Sequence, residues 1–419
     1  MVLGTIEMLK AIDLFAGAGG LSTGLEMAGF EILYANEVSD VFSKSLQINH
    51  PKTEIATADI RSLDPYKICK SLELKPNELD LLAGGPPCQG FSVNAPSRSP
   101  EDERNHLFLD YLRFVEQFKP KVVLIENVPG MVSFEKGNTV KAIISSLEQL
   151  GYQVMVRILY APHYGVPQMR WRTIFIANNL GIDPINFFPD PKYSVKGRPN
   201  FATSLEKNSL LIEDNFFKNA NSGFVTVRDA IGDLPAIDNR GGYEEIEYIS
   251  NVQSSYVSQL RGNNETKLHN HICSGLGKNN LERLAHIPQG GSWRDIPYEL
   301  LPSGMKKARR SDHTQRYGRL EWEGLGSTIL TKCDPHWGRF IHPTQNRVIS
   351  VREAARIQSF PDNCRFLGNI AEQYKQVGNA VPPLFAREIG LAIKSALKNQ
   401  HSSLTRFDSN LVRQKQFAF

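Results

Sequence analysis

A succession of short apolar runs, several closed by glycine or an acidic residue, constrains this chain more than any other feature. The runs are Leu9 to Phe15, Glu31 to Ala35, a third ending near Thr57, Leu79 to Ala83, Val122 to Ile125, Tyr152 to Leu159 and Thr173 to Ala177. Helical periodicity lies between several of them, over about Leu21 to Ala28, His106 to Phe118 and Val140 to Leu150. Buried strands alternating with amphipathic helices imply a doubly wound α/β fold with a mixed, mostly parallel sheet and helices on both faces. In such folds ligands bind outside the carboxyl ends of the strands, so the residues that follow each run are the candidates for function.

After the Leu79 run comes Gly84-Gly85-Pro86-Pro87-Cys88-Gln89-Gly90-Phe91-Ser92. Prolines fix the backbone before the cysteine, and the flanking glycines let other groups approach it closely. A reactive thiol suits this setting; a small core residue is the ordinary alternative for a free cysteine. The first run ends in Ala16-Gly17-Ala18-Gly19-Gly20, a strand-to-helix turn against which a ligand can lie on bare backbone. It does not supply the G-x-G-x-x-G register of a dinucleotide fingerprint. Glu37 and Asp59 stand at successive strand ends. Each of these acids suits a solvated loop, but their recurrence favours an adenosine-type ligand, with Glu37 about twenty residues past the turn, where a carboxylate can hold a ribose. Glu126 ends a later buried run, where a carboxyl partly withdrawn from water favours its neutral, proton-donating form. Gln168, Arg170 and Arg172 alternate, so an extended segment would put them on one face to meet an anion or a heterocycle edge. The polar stretch Val93 to Arg104 reads as a mobile lid or a plain surface loop.

The alternation fails from about Asp183 to Gly326, which predicts a smaller, irregular, β-rich second domain over 183–327. Sequence 1–182 and 328–400 would then form the first domain, and 401–419 a polar tail. Net charge is only +4, so a nucleic-acid partner has to be argued from local clusters. One cluster holds Lys306, Lys307, Arg309, Arg310, Arg316 and Arg319 against Asp312 alone. Spaced by glycines, it suits phosphate and guanine contacts better than a plain solvated face. The 5 cysteines are scattered without paired spacing, which argues against zinc and disulfides. No secretory or membrane-spanning pattern is found, so the expectation is a cytoplasmic protein. Regular structure returns at Ser350, an N-cap whose box Glu353 completes, and again with an apolar helix from about Leu384.

Taken in order, Asp13-Leu14-Phe15-Ala16-Gly17-Ala18-Gly19-Gly20, Pro86-Pro87-Cys88-Gln89, Glu126-Asn127-Val128, Gln168-x-Arg170-x-Arg172, Arg352-Glu353-Ala354-Ala355-Arg356 and Gln376-Val377-Gly378-Asn379 resemble the DNA cytosine carbon-5 methyltransferases over nearly the whole chain. The resemblance implies the Rossmann-like fold of S-adenosylmethionine-dependent methyltransferases with a target recognition domain. It implies S-adenosylmethionine as methyl donor, no metal, and double-stranded DNA as partner. By position, Phe15, Ala16, Gly17, Gly19, Glu37, Asp59, Ile60, Pro86, Asn379 and Ala380 would line the cofactor pocket. Cys88 would add to carbon 6 of a flipped-out cytosine, Glu126 would donate a proton at N3, Arg172 would meet the ring oxygen and Arg170 would support the cysteine region. Gln89, Ser92 and Arg98 join the basic cluster as expected DNA contacts.

Tyr317-Gly318-Arg319-Leu320-Glu321-Trp322 and Gly291-Ser292-Trp293-Arg294-Asp295 are similar to the target-domain ends of CpG-acting members. The expectation is therefore a compact, monomeric modification enzyme of restriction-modification type, with a cognate endonuclease as a further partner and a short site containing CG. A tRNA cytosine methyltransferase would share all the motifs with a reduced target domain, and a catalytically silent DNA-binding relative would have lost Cys88, Glu126 or the arginines.

Overall fold

The computed structural model describes residues 8–86, 107–197, 210–211, 214–248, 251, 254–262 and 266–399. Its centre is a seven-stranded sheet: β1 (Leu9–Leu14), β2 (Phe30–Glu37), β3 (Glu54–Thr57), β4 (Leu81–Gly84), β5 (Val122–Asn127), β6 (Gln153–Tyr160) and β7 (Trp171–Asn178). The order across the sheet is β3-β2-β1-β4-β5-β7-β6, and only β7 runs against the others. The chain builds outward from β1 to β3 and then crosses back to lay β4 on the other side of β1. That reversal opens a crevice at the carboxyl ends of β1 and β4.

Both faces of the sheet are covered, which is why its central strands read as continuous apolar runs and not as alternations. On one face α1 (Gly20–Ala28) packs Leu21 and Leu25 against Ala11 and Ala83. On the other, α3 (Pro65–Ser71), α4 (Leu107–Phe118) and α5 (Asn138–Gln149) enclose Ile12, Leu14, Val123 and Ile125 with Ile68, Phe114 and Ile143. The helix α2 (Asp40–Asn49) lies beside β2 and β3; its mixed polar pattern gives little helical signal in sequence.

The middle of the chain divides differently from the predicted boundary. Residues early in that span join the main core: α6 (Val227–Ile231), closed by a Thr226–Asp229 capping box, contributes Val227, Ala230 and Ile231, and α7 (Ser255–Arg261) contributes Tyr256 and Leu260. A separate small core starts later and extends past the expected end, gathering Leu284, Ile287, Trp293, Ile296, Met305, Tyr317 and Ile341 around α8 (Lys278–Ala285) and α9 (Ser303–Lys306). Strand structure among the described residues there is limited to two pairs, Tyr193–Ser194 with Asn221–Ser222 and Gly242–Glu247 with Lys267–Ile272.

The return segment carries α10 (Val351–Ile357), α11 (Ile370–Asn379) and α12 (Pro383–Asn399). The predicted capping box is present, with Ser350 and Glu353 satisfying each other's backbone N–H groups. Arg347, Arg352, Glu353 and Arg356 are all at most 1% exposed. Arg347 grips Glu353 through two bonds of 2.7 Å, and Arg356 grips Asp362 at 2.8 and 2.7 Å with Asp233 at 2.5 Å. Such pairs are costly to desolvate and costly to break, so each fixes the relative placement of the elements it joins.

Candidate active site

The glycine turn is shaped by backbone that few residues adopt. Phe15 (φ 60°), Gly17 (φ 60°) and Gly19 (φ 89°) all lie in the left-handed region. The turn is tied to the end of β2, where Ala16 N–H donates to the Asn36 carbonyl at 2.9 Å and Gly17 N–H to Glu37 Oε2 at 3.0 Å. Ser39 N–H reaches the other oxygen of Glu37 at 2.8 Å. Burial raises the Glu37 carboxyl above its ordinary range while these N–H groups pull it down.

Asp59 caps the short turn Ile60–Ser62 and is held by Arg61, with Nη2 to Oδ2 at 2.6 Å; those bonds lower its carboxyl. The Ile60 side chain is buried in the core with Ile12 and Leu14. From the far end of the chain, Ala380 and Val381 reach the same turn. A Cβ added at Gly20 would lie 2.4 Å from the Val381 carbonyl oxygen and 2.9 Å from Ala380 Cβ. Asn379 is exposed at the end of α11.

Beneath this turn lie groups that sequence spacing does not reveal. Asp13 is fully buried, receives the Ser22 hydroxyl at 2.6 Å and is raised to about 7 by desolvation; its Oδ1 has no partner. His50 places Nδ1 2.9 Å from Glu26, and its Nε2 would be 2.4 Å from a Cβ added at Gly19. Only the fold brings residues 13, 19, 26 and 50 together. A polar residue just past the end of α2 gives no pattern to read.

The second half of the crevice is assembled by register. Leu14 pairs with Gly84, Gly84 with Ile125, and Glu126 and Asn127 with Ile174 and Thr173. Gly85, Glu126 and Arg172 are therefore brought to one edge. Arg172 Nε lies 2.5 Å from Glu126 Oε1, with both side chains largely withdrawn from water. Gly85 leaves room there, since a Cβ would be 3.4 Å from Glu126 Oε2. Asn127 Nδ2 donates to the Pro86 carbonyl at 3.0 Å, which anchors the end of the cysteine loop beside Glu126. Burial lowers the Arg172 guanidinium, and Glu126 opposes that shift. Cys88, Gln89, Ser92 and Arg98 lie outside the described residues.

Gln168 and Arg170 do not share the face of Arg172. Both are buried, and they bind the return segment: Arg170 donates to the carbonyls of Ile329 at 3.2 Å, Gly378 at 3.1 Å and Ala380 at 3.0 Å. Gln168 binds Arg170, Gln358 and the Ile329 N–H. Arg170 thus holds the wall at Ala380, while the cysteine region it was expected to support lies outside the described residues.

In the small core, Lys306, Lys307, Arg309 and Arg310 are exposed, and Arg316 is half-buried. Arg319 differs from its expected role as a DNA contact. It is 5% exposed and spends its donors on the carbonyls of Ile287, His342, Gln345 and Leu284 and on Asn346, at 2.6–3.0 Å. Satisfied on all sides, it holds that unit together. No cluster of three or more potential metal ligands occurs among the described residues, and none of their helices is long and apolar enough to cross a membrane.

Comparison with known proteins agrees with this arrangement. The profile of the C-5 cytosine-specific DNA methylase family matches residues 9–395. The chain is 35% identical to the Type II methyltransferase M.AgeI of Thalassovita gelatinovora, across 93% of this chain and 100% of that one. It is 33% identical to DNA (cytosine-5)-methyltransferase 1 of Mus musculus, of which it spans 28%. A solved structure described as a DNA modification methyltransferase encoded within an E. coli prophage superposes with a TM-score of 0.68 at 25% identity, covering 93% of this chain and 99% of that one. The chain belongs to the C-5 cytosine-specific DNA methylase family and is a DNA (cytosine-5-)-methyltransferase.

Proposed function

We propose that the enzyme moves a methyl group from S-adenosylmethionine to carbon 5 of a cytosine flipped out of a short, specific double-stranded site. The observation that carries this reading is the convergence, on one sheet edge, of the Glu126–Arg172 pair, the Pro86 end of the cysteine loop and the glycine turn roofed by Ala380 and Val381. The cofactor's fit rests on the same turn. Gly17, with open space where a Cβ would lie, leaves backbone bare, Glu37 presents a carboxylate suited to a ribose diol, and Asp59 stands beyond it for the adenine edge. Bound there, S-adenosylmethionine supplies an electrophilic methyl group on a sulfonium.

The residues then account for activation of the ring. Carbon 5 of cytosine is a poor nucleophile until a thiolate adds at carbon 6, and that addition is assigned to Cys88. Negative charge driven into the ring is offset at N3 by Glu126 as proton donor and at the ring oxygen by Arg172. After methylation, loss of the carbon-5 proton and expulsion of the Cys88 thiolate restore the aromatic ring. A stacked base is out of reach of these groups, so the target must leave the helix.

The exposed run Lys306, Lys307, Arg309 and Arg310 suits the DNA backbone. Likeness to a Type II methyltransferase supports the modification role within a restriction-modification system. The test is incubation with labelled S-adenosylmethionine and either plasmid DNA or total tRNA, followed by bisulfite sequencing. Carbon-5 methylcytosine at one recurrent DNA site is the expected result; label confined to tRNA overturns the substrate.

A further inference from the structure

We propose that Trp337 is a DNA-stacking residue, packing its indole on a base of the duplex beside the flipped cytosine; this rests on the double-stranded DNA reading above. Trp337 is 62% exposed, the most of any large apolar side chain in the small unit together with Tyr298. Its exposure is built, not incidental. The loop that carries it is cross-braced: His336 places Nδ1 2.8 Å from Asp334 Oδ1 and Nε2 2.7 Å from the Tyr317 hydroxyl, and Trp337 N–H closes a turn on the Asp334 carbonyl at 3.0 Å. Tyr317 N–H bonds the Pro335 carbonyl at 2.6 Å, and Tyr317 itself is fully buried. A bulky aromatic is thereby held in water on a rigid base, where burying it elsewhere would be favourable.

The surroundings select nucleic acid as what covers it. Arg316 sets its guanidinium 5.9 Å from the indole centroid. Arg316 also continues the basic stretch: Lys306, Lys307, Arg309, Arg310 and Lys332 are all exposed, while the nearby acid Asp312 accepts the Arg309 N–H at 3.1 Å. An aromatic surface among cations that form no ion pair with a carboxylate among the described residues suits a phosphate-rich duplex whose stack is opened, and its π faces exposed, where a base has flipped out. The same surface connects to the reaction centre. Thr328 binds the Met169 carbonyl at 2.5 Å, and Arg170 holds the Ile329 carbonyl at 3.2 Å, a few residues before Asp334 in the chain. These bonds tie the unit to the segment that carries Arg170 and Arg172.

The test uses the full chain and a duplex containing the methylated site found above. Trp337→Ala is expected to weaken duplex binding and raise KM for DNA by roughly ten- to hundredfold, with little change in kcat. Trp337→Phe is expected to retain most of the affinity. The wild-type protein should show indole fluorescence quenched by DNA, and the quenching should vanish in Trp337→Phe, leaving Trp171, Trp293 and Trp322 silent. Wild-type affinity in Trp337→Ala overturns this inference alone. So does a wild-type dimer that Trp337→Ala converts to monomer with DNA binding unchanged, which would assign the indole to a second copy. Failure of the wild-type protein to bind or methylate any duplex overturns both this inference and the reading beneath it.

Discussion

At the scale of single residues the site depends on a few side chains whose neighbours have no slack. Glu126 is gripped by Arg172 and faces the space left by Gly85. Glu126→Gln keeps the shape but removes the transferable proton, so kcat is expected to fall by about a hundredfold or more while duplex binding persists; single-turnover methylation beside a filter-binding assay checks this. Cys88→Ser is expected to abolish methyl transfer with duplex binding largely kept, and loss of both together would mark the cysteine as structural. Residue types alone misled at Arg319, because a basic residue in a basic run looks like a DNA contact until its donors are traced to buried carbonyls. Asp13 and His50 were illegible for the opposite reason, since nothing in their spacing signals that the fold will place both beneath one turn.

Elements show where local pattern suffices and where it does not. The sheet was legible because strands covered on both faces are apolar throughout, and the Ser350–Glu353 box marked α10 by side chains that bond within one turn. The block Gln376 to Asn379 is instead the last turn of α11, an exposed-faced helix whose Asn369 cap is several residues upstream of the motif. Packing of α1 on α12 was also hidden, because it depends on glycines far apart in the chain. A Cβ added at Gly24 would lie 2.3 Å from the Pro383 carbonyl oxygen, and one at Gly390 would lie 2.8 Å from Ala28 Cβ. Gly24→Ala is therefore expected to destabilise the fold by about 1–3 kcal/mol, read from urea denaturation midpoints. Removing Arg356 strips buried Asp233 and Asp362 of their shortest cation contacts. Arg356→Ala is expected to cost about 3–5 kcal/mol in the same measurement.

Over the whole molecule, buried titratable groups give stability opposing pH dependences. Burial lowers His342 to about 4 and also lowers His271, so the folded state refuses protons that an unfolded histidine takes up near 6.5. Their stabilisation is complete above about pH 6.5 and is lost as pH falls toward 4. Asp13, raised to about 7, works the other way, because the folded state holds its proton more tightly and gains stability over the same fall in pH. Asp13→Asn removes that compensation, so its melting temperature should drop more steeply than wild type between pH 7 and 5. The wall of the cofactor turn has a consequence for synthesis. Gly20 emerges from the ribosome early, but Ala380 and Val381, which close on it, come more than three hundred residues later. A growing chain can form β1 to β7 and still lack a pocket, so methyl-donor binding would register that translation has passed the return segment, and a methyltransferase cut short before it would be unable to load its methyl donor.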